Sequence, residues 1–150
     1  MINGKFGFAV IGYGGMGSWH TRKVKNEMGE YAELIGIYDI DPARNKVAEE
    51  NGIHAFASRE ELLADERIDL VTVATPNDYH KEIVMAALRA GKNVISEKPV
   101  TICSADLEEM IACANECGKL FTVHQNRRWD EDYLTMKKLL DDGTLGKVFR

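Results

Sequence analysis

Long apolar runs are missing from this chain, and none of its hydrophobic stretches reaches the length needed to span a bilayer. The opening segment MINGKFGFAVIGYGG has neither the charged start nor the small-residue cleavage site of a secretory signal. Cysteine is scarce: Cys103, Cys113 and Cys117 are the only three in 150 residues. An odd number in a helix-like region suits reduced thiols and a cytoplasmic protein rather than a disulfide framework. Cys113 and Cys117 stand one helical turn apart, but no histidine or third cysteine lies at ligand spacing, so no metal site is expected. There is no block of basic residues, and the net charge is −5. That balance argues against nucleic acid or an anionic membrane as the main partner. Internal repeats, low-complexity tracts and long charge runs are missing too. What remains is an ordinary globular composition, 45% hydrophobic and 29% charged, in a chain long enough for one domain with a real core.

What is present alternates. FGFAVIG is a short continuous apolar run, as expected of a strand buried on both faces. GMGSWHTRKVKNEM follows with helical patterning, and AELIGIYDI reads as a second strand. DPARNKVAEENG begins with an acid and a proline and ends at Gly52, the start and stop signals of a helix. HAFAS is a weak third strand, and Ser58 with Glu61 forms a capping box ahead of ELLAD. IDLVTVAT, rich in β-branched residues, is a fourth strand. NDYHKEIVMAALRAG reads as a helix with Ile83, Ala87 and Ala90 on one stripe and Gly91 as its stop. KNVIS is a fifth strand, Ser104 is placed to cap the helix ADLEEMIACANECG, and KLFTVH is the sixth strand. Strands alternating with helices imply right-handed crossovers and an α/β fold, a Rossmann-type doubly wound parallel sheet of order 3-2-1-4-5-6. The rhythm stops at residue 125. QNRRWDEDYLTMKKLLDDGTLGKVFR holds one helix, with Tyr133, Met136 and Leu140 on a stripe, and ends on KVFR, the start of a strand without a partner. Residues 1–125 therefore read as one doubly wound α/β domain, and 126–150 as a connecting helix and the beginning of a second, α+β domain.

Gly12, Gly14 and Gly17 spell G-x-G-x-x-G between an expected strand and an expected helix, the context that gives the pattern meaning. The first glycine permits a tight turn, the second lets a pyrophosphate approach the backbone, and the third lets helix and strand pack closely. Free N–H groups at the helix start then meet phosphate charge. The whole loop, Gly12, Tyr13, Gly14, Gly15, Met16 and Gly17, is the expected cofactor-phosphate segment. Asp39 ends the second strand, near the spacing of roughly 20 residues at which an acid binds the adenosine ribose. A carboxylate there accepts from both ribose hydroxyls and repels a 2′-phosphate, which favours NAD. Arg44 is nearby and suits the phosphate, so NADP stays open. The alternative for Asp39 is a solvated strand-end or turn residue, since Asp41 and Pro42 follow. Ala74, Thr75, Pro76 and Asn77 end the fourth strand. Ligands bind outside the carboxyl ends of the strands in such sheets, so this turn should border the cofactor. Asn77 or Asp78 is placed to cap the next helix. His80, in its first turn, is counted on the cofactor side, although a structural histidine is the plainer reading, as for His20 and His54. Glu97-Lys98-Pro99 ends the fifth strand on the same sheet edge. An ammonium there hydrogen-bonds a substrate hydroxyl and stabilises alkoxide charge. Lysines are also mostly exposed, so a salt-bridged surface residue reads equally well from the residues alone.

IGYGGMGSWH, IYDIDPAR, VATPNDYHKEIVMAALRAGKNVISEKP and QNRRWDEDYLTMKKLLDDGTLGKV, in this order and spacing, resemble the Gfo/Idh/MocA family of NAD(P)-dependent sugar and polyol oxidoreductases. The resemblance implies an N-terminal Rossmann domain and a catalytic role for Lys98, beside the nicotinamide and the substrate carbinol. It implies that Thr75, Pro76 and Asn77 border the cofactor and that Gln125 lies near the nicotinamide end. It implies that Arg127, Arg128 and Trp129 lead into a substrate domain, which supplies further catalytic residues and forms a homo-oligomer interface. The chain is expected to be the cofactor-binding part of a longer enzyme and inactive by itself. The expected chemistry is reversible hydride transfer between nicotinamide and a sugar, polyol or related hydroxyl compound. A non-catalytic nucleotide or sugar sensor on the same fold is the alternative.

Overall fold

The computed structural model describes residues 4–147 and 149. Five strands make one sheet: β1 (Phe6–Ile11), β2 (Ala32–Tyr38), β3 (Leu70–Val73), β4 (Asn93–Ser96) and β5 (Phe121–Val123). Their order is β2-β1-β3-β4-β5, and every pairing is parallel. This is the expected doubly wound order with its outermost member reduced. HAFAS makes only an isolated parallel bridge, Ile37 to Ala55, instead of a ladder. Two backbone bonds hold it, Ile37 N to His54 O and Phe56 N to Ile37 O, before the chain turns away into the Ser58 cap.

Five α-helices pack about the sheet, α1 (Gly15–Glu27), α2 (Pro42–Glu50), α3 (Arg59–Ala64), α4 (His80–Arg89) and α5 (Ser104–Cys117), and a sixth, α6 (Glu131–Asp141), follows the last strand. Alternation along β1 divides the core into two. Phe8 and Val10 pack toward Val24 of α1 and Ala48 of α2. Ala9 and Ile11 face Leu62 of α3, Leu88 of α4 and Met110 of α5. Burial of each such large side chain contributes about 1.5–3 kcal/mol.

The expected caps are kept at α2 and α3. Asp41 accepts from Ala43 N, with Pro42 in the first turn, and Ser58 Oγ accepts from Glu61 N at 3.0 Å. Glu61 reaches back to Ala57 N, one residue earlier than a capping box requires. Elsewhere the boundaries shift. Cys103, not Ser104, occupies the N-cap of α5, so Ser104 is already helical. A 3₁₀ turn, Asn77–Tyr79, runs straight into α4, and neither Asn77 nor Asp78 caps it. Ala90 leaves the expected α4 stripe because it is the C-cap and exposed.

Beyond β5, a 3₁₀ turn (Asn126–Trp129) leads into α6, none of whose residues is buried. The strand expected at KVFR involves Val148 and Arg150, which lie outside the described residues. No helix among the described residues is long and apolar enough to cross a membrane.

Candidate functional site

The carboxyl ends of β1, β2 and β3 open onto a cleft of about 810 Å³, within the usual size range of small-molecule sites. Gly12 turns the chain out of β1 with φ +94°, and a Cβ there would lie 2.7 Å from Ala74 O, so only glycine serves. Gly17 packs α1 onto β1 so closely that a Cβ would sit 1.9 Å from Gly12 O. Gly14 is the N-cap of α1 and supplies no side-chain cap. The first helical bond runs from Ser18 N to Gly14 O. The earlier amides, Gly15 to Gly17, have no intrahelical acceptor and carry the positive end of the helix dipole. Gly15 and Met16 are exposed, while Gly17 is buried beneath them. Tyr13 is buried on the far side of the loop, where it packs with Val24 and Ile53.

Asp39 lines this cleft and also builds it. Its Oδ2 accepts from Tyr13 N at 2.6 Å, and its Oδ1 accepts from Asp41 N at 2.9 Å. Its own N–H and carbonyl are held by the Asn45 side chain. The carboxylate is only 8% exposed, so it is not the solvated turn residue of the alternative reading. Each oxygen accepts one of these bonds, which leaves it a lone pair for a further donor. Arg44 stands opposite, with one guanidinium nitrogen 2.7 Å from where a Gly14 Cβ would be. It lines the cleft and is exposed, with its Nε 3.7 Å from Asp41.

The turn after β3 forms the other wall, through Ala74, Thr75 and Pro76. Thr75 Oγ1 is buried and has no hydrogen-bond partner among the described residues. Asn77 is exposed at the rim. His80 lies below the cleft, not in it. It is fully buried, and its ring nitrogens lie 2.9 Å from Thr75 O and 3.1 Å from Pro99 O. It ties the β3 turn to the loop after β4 and reaches a ligand only through them. Uncapped helix amides, a glycine cradle, a ribose-sized acceptor pair and an unpartnered hydroxyl together fit a dinucleotide.

The end of β4 separates the two charges of Glu97-Lys98-Pro99. Glu97 is 5% exposed. Its Oε1 receives His20 Nε2 at 2.7 Å and His124 Nδ1 at 2.9 Å. Burial opposes its ionisation, but the hydrogen bonds and charges of the two imidazoles outweigh it, and its carboxyl is held below the usual value. Burial pushes the His20 imidazole down, against the pull of Glu97. Lys98, by contrast, is exposed, and no acceptor among the described residues bonds its ammonium. Neither surface salt bridge nor strand-end contact accounts for it. Gln125, after β5, is exposed on the same edge. Lys98 and Gln125 lie along that edge, beyond the cleft that gathers Gly12, Gly14, Asp39, Ala74, Thr75 and Pro76. Reading the sequence missed His124 altogether and treated His20 as merely structural. Their partner is 77 residues from one and 27 from the other, a separation that leaves no local signal.

Known proteins match this chain in sequence and in fold. The model of the oxidoreductase family with NAD-binding Rossmann fold, Gfo/Idh/MocA, matches residues 6–125. The NADP(+)-dependent scyllo-inositol 2-dehydrogenase IolW of Bacillus subtilis is 36% identical over 140 residues, 93% of this chain and 38% of its own. An NAD-binding protein of Listeria innocua superposes with a TM-score of 0.91 at 43% identity, over 97% of this chain and 42% of that one. The WlbA dehydrogenase of Bordetella pertussis, in complex with NADH and UDP-GlcNAcA, superposes with a TM-score of 0.87 at 30% identity, over 99% of this chain and 43% of that one. The chain spans about two fifths of the length of such relatives. By sequence and by fold, it belongs to the Gfo/Idh/MocA oxidoreductase family and carries that family's NAD-binding Rossmann domain.

Proposed function

We propose that this chain is the cofactor-binding part of a dehydrogenase or reductase acting on a hydroxyl-bearing sugar, polyol or related compound, with Lys98 beside the reacting oxygen. The observation that carries this reading is the division at the end of β4: Glu97 is buried and bonded, and Lys98 is exposed, its ammonium bonded by no acceptor among the described residues. An ammonium that no carboxylate among the described residues bonds keeps its hydrogens for a ligand and stabilises developing alkoxide charge. The bound cofactor supplies or accepts the hydride. The α1 amides hold its pyrophosphate, Thr75 Oγ1 donates to it, and Asp39 takes the ribose hydroxyls with its remaining lone pairs. Lys98 and Gln125 flank the nicotinamide end. The substrate class is supported by IolW, an inositol dehydrogenase, and by WlbA, crystallised with a nucleotide sugar acid. Residues 1–125 form the cofactor domain, and 126–150 lead toward a second domain, which completes the site and the oligomer.

Asp39 favours NAD. Arg44 keeps a guanidinium within reach of a 2′-phosphate, so the preference is one of degree. The test is calorimetry of NAD and NADP with this chain. NAD binding more tightly supports the assignment, and NADP binding equally or more tightly overturns it. For Lys98, the measurement is turnover of an inositol and sugar panel by the full-length enzyme. Lys98→Ala should reduce turnover by about a hundredfold or more, the scale of losing one oxyanion donor. Near wild-type turnover would assign Lys98 to structure.

A further inference from the structure

We propose that His20 and His124 are positioning residues for Lys98. By gripping one oxygen of Glu97 from two sides, they set the end of β4, and with it the direction of the Lys98 ammonium, relative to the helix that opens the cofactor loop. This inference rests on the reading of Lys98 at the nicotinamide.

The geometry joins three elements at one atom. His20 comes from α1, whose first amides face the cofactor phosphates. Glu97 follows β4 directly, and its N–H donates to Val73 O of β3. His124 follows β5, and its N–H donates to Ser96 O of β4. Both imidazoles converge on Glu97 Oε1, while Oε2 faces Lys98 N at 3.4 Å. Ring packing restrains the two histidines. Their centroids lie 4.7 Å apart, and Trp19 packs edge-on to His20 at 5.1 Å and tilted against His124 at 5.6 Å.

Stability alone does not explain a carboxylate here. Burying an ionised group is expensive, and apolar side chains of similar volume often serve as well or better. What a buried, doubly bonded carboxylate supplies is geometry: each bond is directional and strengthened by low local polarity. An ionised carboxylate only accepts, so each imidazole donates its facing N–H to the same oxygen. A divalent metal among these three groups fits less well, although their ligand atoms lie within 4.8 Å of one another. Ligating imidazoles almost always have their second nitrogen held by a carboxylate, a backbone carbonyl or water. Among the described residues, no such partner bonds His20 Nδ1 or His124 Nε2.

The experiment follows Lys98 by NMR in this chain, with ¹³Cε-labelled lysine and the Lys98 signal assigned by Lys98→Arg. In the wild type, NADH should shift that signal. In His124→Leu, NADH should still bind through the intact phosphate loop, but the Lys98 shift should be lost. In His124→Asn, whose amide nitrogen stands near the position of Nδ1, the shift should return. A merely structural histidine would lower the melting temperature and leave the shift in place well below melting. A shift that persists in folded His124→Leu overturns the inference, as does failure of folded His124→Asn to restore it. Where His124→Leu does not fold, Glu97→Gln takes its place: loss of the shift supports the inference, and retention overturns it. Stoichiometric Zn²⁺ uptake that disappears in the histidine or glutamine variant would make the cluster a metal site and overturn it too. Absence of any NADH-dependent Lys98 shift in the wild type would instead sink the placement of Lys98 at the nicotinamide, and this inference falls with it.

Discussion

Asp39 and Glu97 are both carboxylates at strand ends, and each has more to do than its position in the sequence suggests. Asp39→Ala should weaken NAD binding by about 1–3 kcal/mol, the scale of hydrogen bonds to a charged group. It should also lower the melting temperature, because Tyr13 N and Asp41 N lose their acceptor. Calorimetry and a thermal melt on the same variant separate the two effects; a change in affinity without a change in melting would remove the scaffold role. The Glu97 cluster gives a pH dependence. The ordinary values are 6.5 for His20 and 4.5 for Glu97, and both groups sit below them in the folded chain. The unfolded chain therefore binds more protons than the folded one between each ordinary value and its lowered counterpart. Their contribution to stability is complete above 6.5 and is lost as pH falls through the folded values, His20 first and Glu97 later. Melts recorded across this range should decline toward acid, and His20→Gln should flatten the upper part. An unchanged slope in that variant would assign the decline to other groups. Spacing alone pointed to Asp39 as a ribose ligand. Its hold on the loop was hidden, because Tyr13 is 26 residues away and contributes only a backbone N–H.

At the scale of elements, two neighbouring glycines separate constraint from tolerance. A Cβ at Gly17 would collide with Gly12 O, a backbone atom that cannot swing aside, and would crowd Val10. Gly17→Ala should destabilise by about 1–3 kcal/mol or more, as overpacking does. Gly15 has no heavy atom within 4 Å of a built Cβ, and its φ is helical in sign. Gly15→Ala should stabilise by about 0.4–1 kcal/mol, by reducing the freedom of the unfolded chain. Urea midpoints for the two variants check both, and a tolerated Gly17→Ala would mean that α1 can lift from β1. The G-x-G-x-x-G pattern distinguished these positions in advance because sterics at a tight βα turn are local. Strand and helix order was legible for a similar reason: β-branched runs and glycine stops act over a few residues. The misplaced features depend on more distant geometry. HAFAS has strand-like residues but only a bridge to β2, since the chain leaves for α3. Ser104 has a cap's chemistry, yet the helix already begins there and Cys103 takes the extended conformation before it.

At the scale of the whole molecule, α6 stands apart from the two cores. Its chief contacts are with the 3₁₀ turn that precedes it. Met136 is 64% exposed and Trp129 79%, and Leu140 is exposed with them. An eleven-residue helix has little stability of its own in water, so α6 needs a surface to bury its stripe. Exposed apolar faces of this kind invite association. In the longer relatives the additional chain is the occupant expected under the proposed two-domain arrangement. In this chain by itself, a second copy is the available substitute. Amide exchange in Glu131–Asp141 should therefore be much faster than in α4 and α5 at low protein concentration. Its protection should grow as concentration rises, together with a second species in sedimentation. Met136→Glu should abolish that concentration dependence and leave the α4 and α5 protection unchanged, since the residue touches neither core. Strong protection of α6 in a monomer, independent of concentration, would mean that the helix packs on its own domain. The division at residue 125 would then lose its physical basis.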